Sequence, residues 1–387
     1  MSGSTSDASE ASTEARPAKR AWLAVPVEDG EPFLLAELQR CFPGRRVWVD
    51  ATGLIAVEST NVSGLIPVPL AFARQVLVGA EEVTSASIRG WARLVFDVVT
   101  RDFKEDQPWL LHVVPRYAAG LAGQHRCQLI REALVELLRQ RRRHLGRRLA
   151  REPEPFSPAH SILQLMLTAP DRGWLSALPG PEPHRWRATL SPFPQGMIGV
   201  AVDKAAPCRA FAKLIEAEQR LGSRVGAGET CVDLGASPGS WTYVALGRGA
   251  RVTAVDRSPL RDDLTRHSNL EFVRGDAFSF RPPRPVDWLL CDVIAAPERS
   301  VGLLLEWAAN RWMRRFVVTL KFKGQTGYEC VDELSRRLAP RCREFRLARL
   351  CANKNELCVF GELAEEPVRG ATSEEDQPTS SPSSTFQ

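Results

Sequence analysis

The sequence lacks the cysteine and histidine spacings of a zinc site, and it contains no Cys-x-x-Cys pair. Its nine cysteines are scattered through 387 residues, which favours free thiols in a reducing compartment. Residues 1–20 contain no apolar core, and no later apolar run is long enough to span a membrane. We therefore expect a cytoplasmic protein without a metal site, a secretory signal or a membrane segment.

Two common nucleotide-binding motifs are also missing. The glycine turn at residues 233–241 reads Asp-Leu-Gly-Ala-Ser-Pro-Gly-Ser-Trp. It does not have the Gly-x-Gly-x-x-Gly spacing of a dinucleotide site, which disfavours an NAD-dependent oxidoreductase, and it is not a phosphate-binding P-loop. The turn instead follows an apolar strand and opens a helix, and the chain beyond it repeats that alternation.

The length and the 44% hydrophobic content predict two or three domains with well-filled cores. The polar ends are too poor in apolar residues to fold and are predicted to be disordered. The predicted division is a disordered segment 1–18, a small α+β domain 19–99, a second domain 100–185, an α/β domain 186–362 and a disordered tail 363–387. A proline-rich linker at 179–198, with a short strand near residues 186–190, joins the halves.

From residue 206 onward, apolar strands alternate with helices. This pattern predicts an α/β fold with a mostly parallel sheet covered on both faces. The last two strands, Phe345–Leu350 and Leu357–Gly361, are joined by a short connection and are predicted to form an antiparallel hairpin. A parallel sheet that ends in such a hairpin is the methyltransferase variant of the Rossmann architecture, in which ligands bind at the carboxyl ends of the strands.

The glycine turn has the features of a ligand-binding loop. Gly235 and Gly239 would let the backbone pass close to a ligand, because neither has a side chain. Pro238 stiffens the loop, and Ser240 is predicted to cap the following helix, whose N–H groups face the ligand. A packing turn without a ligand is the alternative.

Charged residues lie at or just beyond the ends of the predicted strands. They are Asp233, Asp256, Asp276, Asp292 and Lys321. Asp256 follows the turn by about twenty residues, where an acidic side chain accepts the two hydroxyls of a ribose. Asp276 can accept an adenine amine, with Phe278 or a neighbour covering the ring, and no basic group is placed for a pyrophosphate. Each Asp alone is more often a turn or cap residue, so the prediction depends on their joint placement.

A dense basic run ends the helix predicted from Gln124 to Arg148. It comprises Arg139, Arg141, Arg142, Arg143, Arg147, Arg148 and Arg151. These arginines could form a solvated face that complements the helix dipole. They could equally bind the phosphates of RNA, because so many like charges repel one another unless a polyanion neutralises them.

Residues 186–362 resemble the FtsJ-type ribose 2′-O-methyltransferases. The likeness is strongest to the bacterial members that modify a cytidine of large-subunit ribosomal RNA and carry an N-terminal THUMP RNA-binding domain. It is carried by residues 208–214, 233–241, 291–292, 320–321 and 355–357, with Ser240 where glycine is usual and Cys208 where serine is common. Before residue 186 the resemblance depends on domain order, which implies a THUMP-type RNA-binding region at 100–185.

The resemblance implies S-adenosylmethionine as cofactor and a monomer that acts on ribosomal RNA or a large-subunit precursor. It implies a catalytic set made of Lys213, Asp292, Lys321 and Glu356. With the turn, it predicts cofactor contacts at Asp233, Gly235, Ser237, Pro238, Gly239, Ser240, Trp241, Asp256, Asp276 and Asp292. A non-catalytic RNA-binding protein with a degenerate domain is the alternative from another class.

Methylation of a ribose 2′-hydroxyl requires removal of its proton. A lysine can accept that proton only if the pKa of its ammonium group is lowered toward the working pH, and burial and a nearby cation lower it. We assign the base to Lys321, which directly follows the apolar run Phe316–Leu320. Lys213 would supply the nearby charge, and Lys323, which has the same strand parity as Lys321, is the rival base.

Overall fold

The computed structural model describes residues 20–50, 53–58, 70–117, 121–150, 160–181, 186, 189–323 and 329–365. The predicted disordered segment 1–18, residues 366–387 of the predicted tail, and Arg151 lie outside these ranges. The strands are β1 (Arg20–Pro26), β2 (Val47–Val49), β3 (Ile55–Glu58), β4 (Ala73–Thr84), β5 (Trp109–Pro115), β6 (Ser161–Ala169), β7 (Arg172–Leu178), β8 (Thr230–Leu234), β9 (Arg251–Asp256), β10 (Leu270–Arg274), β11 (Val286–Cys291), β12 (Met313–Lys321), β13 (Cys342–Ala348) and β14 (Glu356–Leu363).

The helices are α1 (Glu31–Cys41), α2 (Ile88–Asp102), α3 (Leu121–Arg141), α4 (Arg143–Arg148), α5 (Phe211–Leu221), α6 (Ser240–Gly247), α7 (Asp262–Thr265), α8 (Pro297–Ala309) and α9 (Glu329–Leu338). None of these helices is long and apolar enough to cross a bilayer.

Strands β1–β7 form one sheet in the order β2-β3-β1-β4-β7-β6-β5. Only β5 and β6 are parallel; the other neighbours are antiparallel. The predicted domain boundary at residue 99 falls inside α2, and β4 from one side of it pairs with β7 from the other. The two predicted N-terminal units therefore share a single sheet.

The predicted helix Gln124–Arg148 is two helices in the structure. The chain leaves helical geometry at Arg142, which has φ −144° and ψ 64°. The break turns α4 so that Leu145 is buried, and the indole N–H of Trp109 donates to the Leu145 carbonyl at 2.9 Å. A contact with β5 thus ends α3, although the local sequence contains no helix breaker.

Strands β8–β14 form the second sheet, in the order β10-β9-β8-β11-β12-β14-β13. The first five strands in this order are parallel, and the β13–β14 hairpin adds two antiparallel strands at the β12 edge. This arrangement confirms the α/β fold with a parallel sheet and a terminal hairpin. Fully buried apolar residues such as Leu289, Leu290, Val317 and Val318 line its strands, because both faces are covered.

Several boundaries differ from the sequence prediction. Among the helices that the alternation predicts, one is expected near Arg299–Trp312. In the structure this helix, α8, runs from Pro297 to Ala309, because proline favours the first helical turn and β12 begins at Met313. The short strand predicted near residues 186–190 is not present in the described part of that segment, where Trp186 and Thr189 lie in turns. Strand β14 continues to the buried Leu363, one residue beyond the predicted end of the domain.

The segment that enters the second half is fixed to the first sheet by buried hydrogen bonds. The side-chain amide of Gln75 donates to the carbonyls of Ser191 and Phe193, and its oxygen accepts the N–H of Ser191 at 2.8 Å. Further along, the Arg349 N–H donates to the Ala71 carbonyl at 2.8 Å. These hydrogen bonds connect the first sheet both to the segment that leads into the second half and to the residue that follows β13 of the second sheet.

Candidate active site

The carboxyl ends of the parallel strands open into a cavity of about 500 Å³. Ten of the predicted site residues line it: Asp233, Gly235, Ser237, Pro238, Ser240, Trp241, Asp256, Asp276, Asp292 and Lys321. The predicted residues Gly239, Lys213 and Glu356 do not line it. The structure therefore brings most of the predicted set to one edge of the sheet, as parallel strands require.

Asp292 is the centre of a charged cluster at this edge. One of its oxygens, Oδ1, lies 2.9 Å from the Lys321 ammonium and accepts the Thr319 hydroxyl at 2.7 Å. The other, Oδ2, lies 3.2 Å from the Lys213 ammonium, which also contacts Glu356 at 2.5 Å. The four residues of the implied catalytic set therefore form one connected group of ion pairs.

Each member of this cluster is placed by a different element. Lys213 is on the first turn of α5, and Asp292 directly follows β11, where its N–H bonds to the Leu234 carbonyl at 3.2 Å. Lys321 ends β12 and pairs in register with Glu356, the first residue of β14. The rival base Lys323 is exposed and does not line the cavity.

The protonation of Lys213 follows from its neighbours. Its side chain is only 11% exposed, and this burial alone would lower the pKa of the ammonium group. Asp292 and Glu356 outweigh that effect and raise the pKa above its ordinary value. Lys213 is therefore a permanent cation at neutral pH, which neutralises part of the carboxylate charge in the cluster.

Asp256 links the glycine turn to the following loop. Its Oδ2 accepts the N–H of Ser237 at 3.0 Å, and its Oδ1 accepts the N–H of Ser258 at 2.8 Å. Each carboxylate oxygen has a second lone pair for a further donor. The side chain is thus held in position at the end of β9 and can still accept hydroxyl groups.

Beside Asp276 the cavity carries two arginines that the sequence argument did not assign. Arg257 donates to the Asp276 carboxylate at 2.8 Å, and the Arg299 guanidinium lies 3.9 Å from the centre of the Phe278 ring. All four side chains line the cavity. The cavity thus contains two basic groups beside Asp276, one of which, Arg257, is already paired with that carboxylate.

The backbone conformation and the packing of the protein itself require glycine at two positions of the turn. Gly235 has φ +73°, and a Cβ there would lie 2.7 Å from Cγ2 of Val293. Gly239 has φ +110°, and its Cβ would overlap the Leu264 side chain. Positive φ and protein packing therefore exclude side chains at both positions. Gly239 is also the N-cap of α6, so the prediction that Ser240 caps this helix is wrong.

Ser240 and Trp241 bind the chain segment that leads into α5. The Ser240 hydroxyl accepts the N–H of Cys208 at 3.0 Å and contacts its thiol at 2.9 Å. The Trp241 indole donates to the Ala210 carbonyl at 2.8 Å. Both side chains line the cavity, but their polar atoms hold the approach to the helix that carries Lys213.

Asp233 is the most deeply buried of the strand-end carboxyls. Its side chain is fully enclosed and accepts the Thr242 hydroxyl at 2.6 Å. Burial raises its pKa from an ordinary 3.8 to about 7. Its carboxyl group is therefore engaged within the protein, although the residue borders the cavity.

The predicted RNA-binding arginines lie on α3, α4 and the break between them, outside this cavity. Arg141, Arg142, Arg143, Arg147 and Arg148 are all exposed. Arg139 differs, because Glu136 one turn earlier binds its guanidinium through two hydrogen bonds of 2.8 Å. The basic surface is therefore carried mainly by the other five arginines.

Sequence reasoning missed Thr319 as well as the two arginines. Thr319 and Lys321 are two residues apart on β12 and both reach Asp292, so strand alternation could have identified the threonine. The arginines gave no comparable signal, because their positions depend on how loops fold over the cavity. Within the described ranges, no group of three or more His, Cys, Asp or Glu side chains is arranged to hold a metal ion.

Comparison with known proteins agrees with this geometry. Residues 206–322 match the model of the FtsJ-like methyltransferase family. A relative from Thauera aminoaromatica, named ribosomal RNA large subunit methyltransferase M, is 36% identical over 198 residues, which cover 49% of this chain and 50% of the relative. The protein of the same name from Halorhodospira halophila is 33% identical over 223 residues, covering 56% and 66%.

The chain spans about half the length of the first of these relatives and about two thirds of the second, so the likeness is partial. The matched family region includes the glycine turn, the strand-end carboxylates and three of the four clustered residues, Lys213, Asp292 and Lys321. The chain therefore contains an FtsJ-like methyltransferase domain at residues 206–322, and the cofactor of that domain is S-adenosylmethionine.

Proposed function

We propose that this protein is an RNA ribose 2′-O-methyltransferase that modifies a cytidine of large-subunit ribosomal RNA. The observation that carries the proposal is the cluster in which Asp292 contacts both Lys213 and Lys321. The name shared by these two relatives supports ribosomal RNA as the substrate. The choice of a ribose oxygen, and of cytidine, comes from the motif resemblance.

The cavity fits the cofactor in size and in the chemistry of its donors. Its volume of about 500 Å³ is typical of a small-molecule pocket. We place the ribose hydroxyls at Asp256 and the adenine near Asp276 and Phe278, because these residues follow adjacent parallel strands. The turn at residues 235–241 would then border the methionine end. When bound there, S-adenosylmethionine supplies an electrophilic methyl group.

Lys321 is the proposed base. Its Nζ lies at the mouth of the cavity, 2.9 Å from both the carboxylate and the backbone carbonyl of Asp292. In its neutral form this nitrogen accepts the proton of the 2′-hydroxyl, and the two Asp292 oxygens keep it in a fixed position. Orienting a reacting group in this way contributes several kcal/mol to the lowering of a barrier, on the order of 7–11 at best.

Lys213 and Glu356 act as positioning residues for this base. The raised pKa of Lys213 keeps it charged, so it holds the Asp292 carboxylate from one side, 3.2 Å from Oδ2 and 3.4 Å from Oδ1, while Lys321 contacts Oδ1 at 2.9 Å. Glu356 in turn holds Lys213 from β14. Two lysines thus have two different roles: one is a fixed cation, and the other exchanges a proton.

The proposal also covers the partners. The exposed arginines of α3 and α4 would contact RNA phosphates, since arginine forms strong paired hydrogen bonds with phosphate oxygens. We propose that the protein acts as a monomer in the cytoplasm and without a metal ion.

The test uses purified protein, isotopically labelled S-adenosylmethionine and large-subunit ribosomal RNA from cells that lack the gene. We expect label in RNA at one nucleotide, and alkaline hydrolysis should leave the bond after that nucleotide intact because its 2′-oxygen is blocked. Mass mapping of RNA from cells with and without the gene should locate the same nucleotide. Label on a base, or no transfer to RNA although the cofactor binds, would contradict the proposal.

A further inference from the structure

Ile294 is the most exposed large hydrophobic side chain in the described part of the chain, with 91% of its surface open to solvent. It follows Asp292 by two residues and lines the same cavity as Asp292 and Lys321. Exposing a whole isoleucine side chain to water forgoes the favourable burial that such a side chain usually gains. An exposed apolar side chain beside the proposed reaction site is a candidate contact for a bound substrate.

The backbone around Ile294 is held on both sides. Asp292 is fixed by its N–H bond to Leu234 and by its contacts with two lysines. The next residue, Val293, packs against Gly235, where even one added carbon would collide with it. Helix α8 begins at Pro297, three residues after Ile294. Val293 therefore faces the protein, and Ile294 stays in solvent at the rim of the cavity.

We infer that Ile294 is a positioning residue against which the base of the target nucleotide packs. The inference rests on the proposed function, which places the 2′-hydroxyl of the target at Lys321 and Asp292. The base is attached to the carbon adjacent to the one that bears this hydroxyl, so it must lie close to the rim that Ile294 occupies. Proteins that act on single nucleotides commonly hold an unstacked base against apolar or aromatic side chains.

The test compares three variants in methyl transfer to an RNA oligonucleotide that spans the nucleotide mapped for the wild-type protein. Ile294→Ala should raise the KM for this RNA by about 5- to 30-fold, because it removes most of the apolar contact area. Its kcat and its affinity for S-adenosylmethionine should change less than twofold. Ile294→Leu keeps the area and should restore most of the wild-type KM. Val202→Ala is the matched control, since Val202 is 88% exposed but does not line the cavity.

A second substrate separates a contact with the base from a general structural effect. When the target nucleotide has a ribose but no base, wild type and Ile294→Ala should bind the oligonucleotide with the same affinity. An Ile294→Ala protein whose KM equals that of the wild type, or a KM increase that persists on the abasic oligonucleotide, would overturn the inference. Failure of the wild type to methylate RNA would refute the proposed function instead.

Discussion

The two halves of this protein each contain a seven-stranded sheet, yet they use polar residues in opposite ways. In the second half, Asp233, Asp256, Asp292 and Lys321 lie at or just beyond the carboxyl ends of four parallel strands, and all four border one cavity. In the first half, the buried polar side chains of the sheet include Gln75 and Gln164, which bond to backbone groups and, among the described residues, do not border a shared cavity. Parallel strands end at the same edge, whereas antiparallel neighbours end at opposite edges, so only the second sheet can collect residues from distant positions at one site.

The first half carries a basic surface on its outer helices. Five exposed arginines lie on α3, α4 and the break between them. Within the described ranges, none of the five forms an ion pair like the one between Arg139 and Glu136. In the second half, by contrast, Lys213 and Lys321 are both paired with Asp292. Under the proposed function, the ion-paired charges of the second half carry out the methyl transfer, and the solvent-exposed charges of the first half bind the RNA. Variants in one half should therefore leave the function of the other unchanged.

The largest expected effect is the loss of the proposed base. Lys321→Ala should reduce the rate of methyl transfer by about 10²- to 10⁴-fold, the usual contribution of general base catalysis. Lys323→Ala, two residues further along, should reduce it much less, because Lys323 does not line the cavity. Single-turnover assays with saturating RNA and cofactor measure both rates. Near wild-type activity of Lys321→Ala would exclude it as the base.

A second effect concerns stability, because each half contains a buried carboxyl whose pKa is raised to about 7. Burial raises the pKa of Asp233 from 3.8 to about 7, and that of Glu37 from 4.5 to about 7. At a pH above the ordinary pKa values of 3.8 and 4.5 and below about 7, each of these carboxyls keeps its proton in the folded protein but has lost it in the unfolded chain. The free energy of unfolding should therefore fall as pH rises through this window and level off above it.

Asp233→Asn and Glu37→Gln each remove one of these protons. At pH 8, relative to pH 4, each variant should gain about 2–4 kcal/mol of stability compared with the wild type. Calorimetric melting curves across this range measure the difference. If the stability difference between variant and wild type does not change with pH, that carboxyl is not protonated in the folded state. A response in only one variant would show that the two halves differ in this respect as well.

The sequence predicted the second half better than the first for a physical reason. Strands buried on both faces are continuous apolar runs, so β8, β11 and β12 and the charged residues at their ends could be located by pattern alone. The pairing of β4 with β7 joins residues about 90 positions apart, and no local sequence pattern indicates which strands will pair at that distance. The end of α3 at Arg142 likewise depends on the distant contact between Trp109 and Leu145.

Within the site, residue types were predictable but their partners were not. Asp233, Ser240 and Trp241 were expected to contact the cofactor. All three line the cavity, but their polar atoms also bind Thr242, Cys208 and Ala210, which the sequence did not predict. Such contacts depend on packing between elements, which strand and helix periodicity does not encode.

An intermediate effect is expected at the proposed ribose site. Asp256→Ala should weaken S-adenosylmethionine binding by about 1–3 kcal/mol, the usual cost of removing a hydrogen-bonding carboxylate from its partners. Isothermal titration measures it directly. Asp262→Ala, an exposed aspartate on α7, is the control and should bind as the wild type does. An unchanged affinity for Asp256→Ala would place the ribose elsewhere in the cavity.

The smallest effect per residue is expected on the basic surface of the first half. Replacing Arg141, Arg142 and Arg143 with Ala should reduce the slope of log affinity for ribosomal RNA against log salt concentration by up to roughly 2–3, since each phosphate contact contributes about 0.7–0.9. Arg139→Ala should change the slope less than any one of these, because Glu136 already neutralises Arg139. Filter binding at several salt concentrations measures the slope, and titration checks that cofactor affinity is unchanged. A slope equal to that of the wild type would make these arginines a solvated helix face, while a loss of cofactor affinity would show that the two halves are coupled.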